Sequence, residues 1–169
     1  MQEIDRQRSL GSERCLILPA DDMSNSTSCH PHSHVMTEEM KNFDMESVEA
    51  IKSRNVEKLS KLLHEGKSFH GCNRNGETLL HLACRQSNVE TVTFLVDQAH
   101  VPMDAVDILG RTVLHDAIWK SSPDLALLEA LLPRIPVQLL CQKDSRGHVC
   151  FDYARRQHWT AWVHFLESH

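Results

Sequence analysis

The chain has 169 residues, of which 41% are hydrophobic and 24% are charged, and its formal net charge is −5. This is the composition of an ordinary globular protein, and the slight acidity argues against a nucleic-acid partner or an anionic membrane surface. No run approaches the ~18 apolar residues that a membrane helix needs, and the apolar run from Cys15 to Leu18 is too short for a signal peptide. We therefore expect a cytoplasmic protein, with the nucleus left open, whose six cysteines are free thiols.

The first 44 residues are predicted to form a disordered tail. They are rich in Ser, Asp, Glu, Asn and His, and they show no sustained helical or strand periodicity. Residues 1–40 alone carry three basic and seven acidic side chains. Such a segment cannot bury enough apolar surface to offset the entropy of ordering. We therefore place the domain boundary between residues 44 and 45, and we expect residues 45–169 to form the folded domain.

One tract of this tail could bind a metal ion. Its four possible ligands are Cys29, His30, His32 and His34. Thiolate and imidazole are ligands of Zn²⁺ and Cu²⁺, and short His-rich tracts do bind metals. Because the tract has neither a scaffold nor a second ligand cluster, we favour a solvated segment that binds metal weakly. Metal binding by the tail is kept as an alternative function.

From about Met45 onward the apolar pattern is helical, and the chain repeats itself. Residues 75–83 align with residues 109–117 at an offset of 34, and with residues 146–154 after a further 37. The shared pattern is G-x-[T/V]-x-[L/F]-[H/D]-x-A. Self-similarity at a period of this length is the signature of a repeat architecture.

These motifs resemble the T-P-L-H-x-A signature of the ankyrin repeat, although Pro is absent from both complete copies. The resemblance implies an all-α solenoid of stacked helix-turn-helix pairs with β-hairpin-like loops. It predicts units at about 45–72, 73–106, 107–143 and 144–169, the first without the motif and the last degenerate. The third unit is longer and contains Pro133 and Pro136, where we expect an irregular loop.

Several residues of the repeat motif have a predicted structural role. Glycines stand where a turn needs a positive φ, threonines stand where a hydroxyl can cap the first helix, and the resemblance implies that the histidines tie loop to helix. These residues are Gly76, Gly110 and Gly147, then Thr78 and Thr112, then His81 and His115. In the third unit, Ser122 is the predicted N-cap of the second helix, with Pro123 at its first position.

The second helices carry apolar side chains at helical spacing, which stacked neighbours can bury. They are Val89, Val92, Phe94 and Leu95, then Leu125, Leu128, Leu131 and Leu132, and then Trp162, Val163, Phe165 and Leu166. Of the cysteines in the repeats, Cys84 is expected to pack as a small apolar residue, and Cys72 is expected to be more exposed.

The resemblance implies binding to a partner protein through the hairpin tips and the concave, exposed side of the first helices. Carried onto this sequence, that surface comprises Arg74, Asn75, Arg85, Gln86, Ile108, Leu109, Trp119, Lys120, Arg146 and Arg156. The middle unit is distinctive because it offers Ile108, Leu109 and Trp119 with arginines on both sides, as an interface hot spot does. We hypothesise a partner segment with an apolar centre and acidic flanks. The alternative is that Trp119 covers the neighbouring helix while Ile108 and Leu109 pack between hairpins.

No residue pattern indicates catalysis or a cofactor. His115 and Asp116 are adjacent, but neighbouring positions on a helix point in different directions, and no nucleophile, metalloprotease or phosphate-loop motif occurs. We therefore predict a monomeric, non-enzymatic interaction module. A regulatory subunit that docks onto an enzyme is a further alternative.

Overall fold

The computed structural model describes residues 42–120 and 122–168, and the predicted tail lies almost entirely outside them. Within this part of the chain there are seven α-helices and three short 3₁₀ helices. The α-helices are α1 (Met45–Lys52), α2 (Val56–His64), α3 (Leu79–Arg85), α4 (Val89–Asp97), α5 (Val113–Ile118), α6 (Leu125–Leu131) and α7 (Trp159–Glu167). The 3₁₀ helices span Val137–Leu140, Cys150–Tyr153 and Arg156–His158.

Helix α1 pairs with α2 and α3 with α4, and the helices from α1 to α6 stack in two rows, which confirms the predicted solenoid. In the first row α1 packs against α3, α3 against α5, and α5 against the 3₁₀ helix Cys150–Tyr153. In the second row α2 packs against α4, and α4 against α6. One continuous core runs between the rows, since no single helix pair could bury its own apolar face.

The predicted Thr–His motif sets the start of α3. The backbone N–H of Thr78 donates to Nδ1 of His81 at 3.2 Å. In return, the backbone N–H of His81 donates to Oγ1 of Thr78 at 3.4 Å. Because Nδ1 accepts, the ring proton sits on Nε2, which donates to the carbonyl of Arg111 at 3.2 Å. His115 repeats the two ring bonds, since it accepts the N–H of Thr112 at 3.1 Å and donates to the carbonyl of His148 at 3.3 Å. Each histidine therefore joins its own helix to the loop of the next unit.

The last unit departs from the predicted helix pair. Its first helix is a 3₁₀ turn, Cys150–Tyr153, rather than an α-helix, and a second 3₁₀ turn, Arg156–His158, leads into α7. Val149 occupies the place of the capping threonine and has no hydroxyl, while Asp152 replaces the histidine and accepts the N–H of Val149 at 2.9 Å. The last unit therefore keeps the bond to the N–H of residue 149, but it lacks both the capping hydroxyl and the ring that in the two preceding units reaches the following loop.

Three finer predictions were also wrong. The N-cap of α6 is Asp124 and not Ser122, because the Asp124 carboxylate accepts the N–H of Leu127 at 3.1 Å. Cys72 is buried rather than exposed, and its backbone forms an antiparallel β-bridge with that of Thr78. In α7, Val163 and Leu166 are exposed, and only Trp162 and Phe165 join the core. The irregular loop after α6 is present and contains the 3₁₀ helix Val137–Leu140.

Burial of His81 predicts that stability depends on pH. The ring is fully buried, and this burial lowers its pKa. The unfolded chain, with an ordinary His pKa of about 6.5, then takes up a proton that the folded state resists. Stability is therefore complete above about pH 6.5 and is lost as pH falls, by at most about 1.4 kcal/mol per pH unit for this one group.

The measurement is the free energy of urea unfolding between about pH 5 and 8, roughly one and a half units on either side of the unperturbed His pKa. The variant His81→Gln keeps an acceptor for the Thr78 N–H but does not titrate, so its slope below pH 6.5 should be shallower than that of the wild type. The exposed His64→Gln serves as the control and should keep the wild-type slope. Equal slopes for the wild type and His81→Gln would contradict this account.

Candidate partner-binding surface

Each hairpin tip is built on the side chain of an Asn or Asp. Oδ1 of Asp107 accepts the N–H groups of Leu109 and Arg111, both at 2.9 Å. Asn73 and Asp144 bond the equivalent N–H groups two and four residues further on, at 2.9–3.0 Å. Sequence reasoning missed these residues, although each stands three positions before the turn glycine in its unit. Hydrogen bonds from an Asn or Asp side chain to these backbone N–H groups stabilise a turn even where no β-sheet flanks it.

Neighbouring tips are bonded to each other. The N–H of Ile108 donates to the carbonyl of Asn75 at 2.9 Å, and the N–H of Ser145 donates to the carbonyl of Leu109 at 2.8 Å. The turn glycines permit this approach, because a Cβ on Gly76 would come within 3.2 Å of the Asp107 Cα at a φ of +73°. The tips form one connected row rather than separate flexible loops.

The apolar tip of the middle unit is exposed to solvent. Ile108 is 56% exposed and Leu109 is 39% exposed. The alternative in which both side chains pack between hairpins therefore does not describe this structure. Because the row of tips fixes their backbone, both side chains are presented at defined positions.

Trp119 bridges to the next unit and is exposed at the same time. Its ring stacks on Tyr153 with centroids 5.1 Å apart and planes 19° from parallel, and it remains 54% exposed. One unit earlier, the equivalent positions hold an ion pair in which Arg85 donates to Asp116 at 2.9 Å. Trp119 thus partly covers the neighbouring helix, as the alternative expected, and still offers one face to solvent.

Tyr153 connects this stack to the third hairpin tip. Its hydroxyl donates to a carboxylate oxygen of Asp144. This hydrogen bond lowers the pKa of Asp144 to about 2 and raises that of Tyr153. A shallow depression lies between Leu109, Trp119 and Tyr153, with Arg146 on its lining. An alignment of the units could have identified Tyr153, because it occupies the position in the fourth unit that Asp116 occupies in the third.

The predicted basic residues fall into two groups. Arg74 and Arg146, like Asn75 and Gln86, are exposed. Arg85 pairs with Glu77 and Asp116 within the fold. Burial works against the charge on Glu77, yet hydrogen bonds from Asn73 and Arg85 lower its pKa. The positive charge that Arg85 offers to a partner is therefore largely compensated.

Two predicted contact residues are placed elsewhere. Lys120 has a side chain only 14% exposed, and its ammonium group contacts Ser87 and, at 3.6 Å, Asp124. Arg156 is not on a first helix, because it belongs to the 3₁₀ turn before α7. Its guanidinium lies 6.0 Å from the centroid of the Trp159 ring. Neither residue joins the surface around Trp119.

The predicted metal tract of Cys29, His30, His32 and His34 lies outside the described residues. In residues 42–120 and 122–168, no group of three or more His, Cys, Asp or Glu side chains could hold a metal ion. Cys84 and Cys150 are fully buried, and this burial raises the pKa of each thiol to about 12. The packing predicted for Cys84 is confirmed.

Stacked helix pairs with hydrogen-bonded hairpin tips define the class of this protein as a helical repeat protein. Residues 48–138, more than half of the chain, match the family model of ankyrin repeats in three copies. The chain belongs to the ankyrin-repeat family. None of its described helices is both long enough and apolar enough to span a bilayer.

Relatives share the repeats within much longer proteins. The chain is 34% identical, over an alignment of 92 residues, to SMC5-SMC6 complex localization factor protein 1 of Homo sapiens, and the match covers 48% of this chain and 8% of the relative. The bovine protein of the same name is 33% identical over 92 residues, again 48% of this chain and 8% of the relative. Leucine-rich repeat serine/threonine-protein kinase 1 of Caenorhabditis elegans is 32% identical over 94 residues, covering 52% of this chain and 4% of the relative.

The stack between Trp119 and Tyr153 predicts an energetic coupling between adjacent units. Aromatic pairs contribute about 0.5–1.5 kcal/mol beyond the area they bury. A double-mutant cycle with Trp119→Ala and Tyr153→Ala, measured by urea unfolding, should return a coupling of that size. Tyr153→Phe is the control that keeps the ring but removes the bond to Asp144. Additive effects of the two alanine variants would show that the stack contributes nothing.

Proposed function

We propose that this chain is a non-catalytic recognition module that binds a segment of another protein across the middle unit. Ankyrin repeats are protein-interaction modules, and the observation that carries the finer proposal is the exposed apolar group of Ile108, Leu109 and Trp119. Aromatic anchors within a polar rim are typical of binding hot spots. Placement in the cytoplasm stays a prediction.

The bound segment should have an apolar centre. Ile108 and Leu109 expose aliphatic carbon on a hairpin whose backbone is tied to both neighbouring tips. Trp119 is held by its stack, and it borders the depression beside Tyr153. Because the backbone of the hairpin and the ring of Trp119 are already held, binding needs to order neither of them, which reduces its entropic cost. We expect one apolar side chain of the partner to pack against the exposed face of Trp119, at the edge of this depression.

The flanks of the bound segment should be acidic. Arg74 and Arg146 are exposed at the tips on either side of the middle hairpin. Arg85 contributes less, because Glu77 and Asp116 already accept its hydrogen bonds. Charges at the rim of an interface act mainly on the association rate and on specificity. Binding should therefore weaken as salt is raised.

The test is selection of peptides from a random library on the folded full-length chain. Apolar or aromatic residues flanked by Asp or Glu should be enriched. Changing Ile108→Asp together with Leu109→Asp should weaken binding of the selected peptides at least about tenfold, since hot-spot losses are about 2 kcal/mol or more and tenfold corresponds to about 1.4 kcal/mol. Circular dichroism checks that each variant is folded.

The matched control is Val137→Asp, an aliphatic side chain that is 67% exposed and outside this surface. It should leave peptide affinity unchanged. Peptides with no acidic or apolar preference, or equal loss in the control, would refute the proposed surface. Pull-down from native lysate with the same three proteins then identifies the cellular partner.

A further inference from the structure

The last helix carries a second exposed apolar surface. Trp159, Val163 and Leu166 are 54%, 52% and 42% exposed. Their spacings of four and three residues place them along one side of α7. Trp162 and Phe165, on a different side of the same helix, are buried in the core. We call the exposed residues the α7 stripe.

The Trp159 ring is held in place although half of it faces solvent. Its indole N–H donates to the carbonyl of Ala154 at 3.1 Å, and the Arg156 guanidinium lies 6.0 Å from the ring centroid. A fixed, amphipathic ring of this kind loses little freedom when a second surface covers it. The stripe is therefore preorganised at its N-terminal end.

The charges at the two ends of α7 oppose its dipole. Arg155 and Arg156 stand before the N-terminus, which carries partial positive charge, and Glu167 is the last helical residue, where the partial charge is negative. The described structure gives Glu167 only a long contact with the exposed His164, at 3.9 Å. Each end of the helix would be stabilised by an adjacent helix running in the opposite direction.

We propose that two copies of this chain pair through the α7 stripe in antiparallel orientation, in contrast to the monomer expected from sequence. A two-fold axis near Val163 places Val163 against its equivalent and Trp159 against Leu166 of the second copy. The same rotation brings the N-terminal end of α7, which Arg156 precedes, to the end that carries Glu167 of the second copy. In a two-fold contact both copies use the same surface, so that surface must be complementary to itself. The stripe meets this requirement because its two ends carry opposite charges.

The spacing of the stripe supports helix–helix packing. Alternating steps of four and three residues form the seam by which helices pack at a shallow angle. Three side chains per copy make a small contact, so we expect a dissociation constant of about 10–100 μM. The dimer therefore forms only at high protein concentration. It is independent of the surface around Trp119.

The first test is analytical ultracentrifugation of the full chain across that concentration range. The mass should rise with concentration from 19.3 kDa towards twice that value. Val163→Glu, folded by circular dichroism, should remain monomeric, while Val137→Glu and the Ile108→Asp/Leu109→Asp variant should dimerise like the wild type. A wild type that stays monomeric well above about 100 μM, or Val163→Glu that still dimerises, overturns the proposal.

Charge reversal tests the antiparallel orientation. Arg156→Glu or Glu167→Arg alone should weaken dimerisation about threefold to thirtyfold, because two symmetric ion pairs are lost. The double variant should restore it, since the reversed charges still meet across the two-fold axis. Single variants with no effect, or a double variant that remains weak, overturn the antiparallel pairing.

Symmetric cross-linking provides a readout that does not depend on affinity. Val163→Cys, in a chain with Cys15, Cys29 and Cys141 changed to Ser, should form a disulfide-linked dimer under mild oxidation. The control is Ala161→Cys, which is exposed on the opposite side of α7. Equal cross-linking at both positions would show random collision and would refute a specific contact.

Discussion

The imidazole ring of His81 joins the second unit of this protein to the third, and that of His115 joins the third to the fourth. Nδ1 of His81 accepts the N–H that opens α3, and Nε2 of the same ring donates to the carbonyl of Arg111 in the following hairpin. Both bonds are made by the neutral ring in one tautomer. Cap, helix and neighbouring hairpin are thereby fixed together, and the remaining inter-unit contacts, from tip-to-tip bonds to the buried core, follow from this alignment.

The alignment makes equivalent positions meet in every unit, but the chemistry at those positions differs. Arg85 and Asp116 form an ion pair between two units, and Trp119 and Tyr153 form an aromatic stack between the next two. The ion pair leaves a compensated polar surface, whereas the stack leaves an exposed aromatic face. Variation in one contact of a regular scaffold can in this way create a distinct surface without altering the fold.

The last unit shows what happens when the ring is absent. Val149 and Asp152 supply one bond to the start of the turn and none to a further unit, and the segment is 3₁₀ rather than α-helical. In the part of the chain that the structure describes, the apolar residues of α7 divide between the core and the surface. Trp162 and Phe165 occupy that core, and the α7 stripe stays at the surface.

The sequence by itself determined the family, the solenoid, the turn glycines, the capping threonines and the framework role of His81 and His115, because these depend on local bonds repeated at a fixed period. It also indicated that Ile108, Leu109 and Trp119 are apolar residues at positions where the repeat pattern predicts exposure. Only the tertiary structure decided which of these side chains already have partners within the fold. Arg85 and Lys120 form ion pairs there, and Trp119 stacks on Tyr153. Val163 and Leu166, by contrast, lie outside the core. The physical reason is that periodicity specifies a helix face, whereas exposure depends on what the neighbouring unit places against that face.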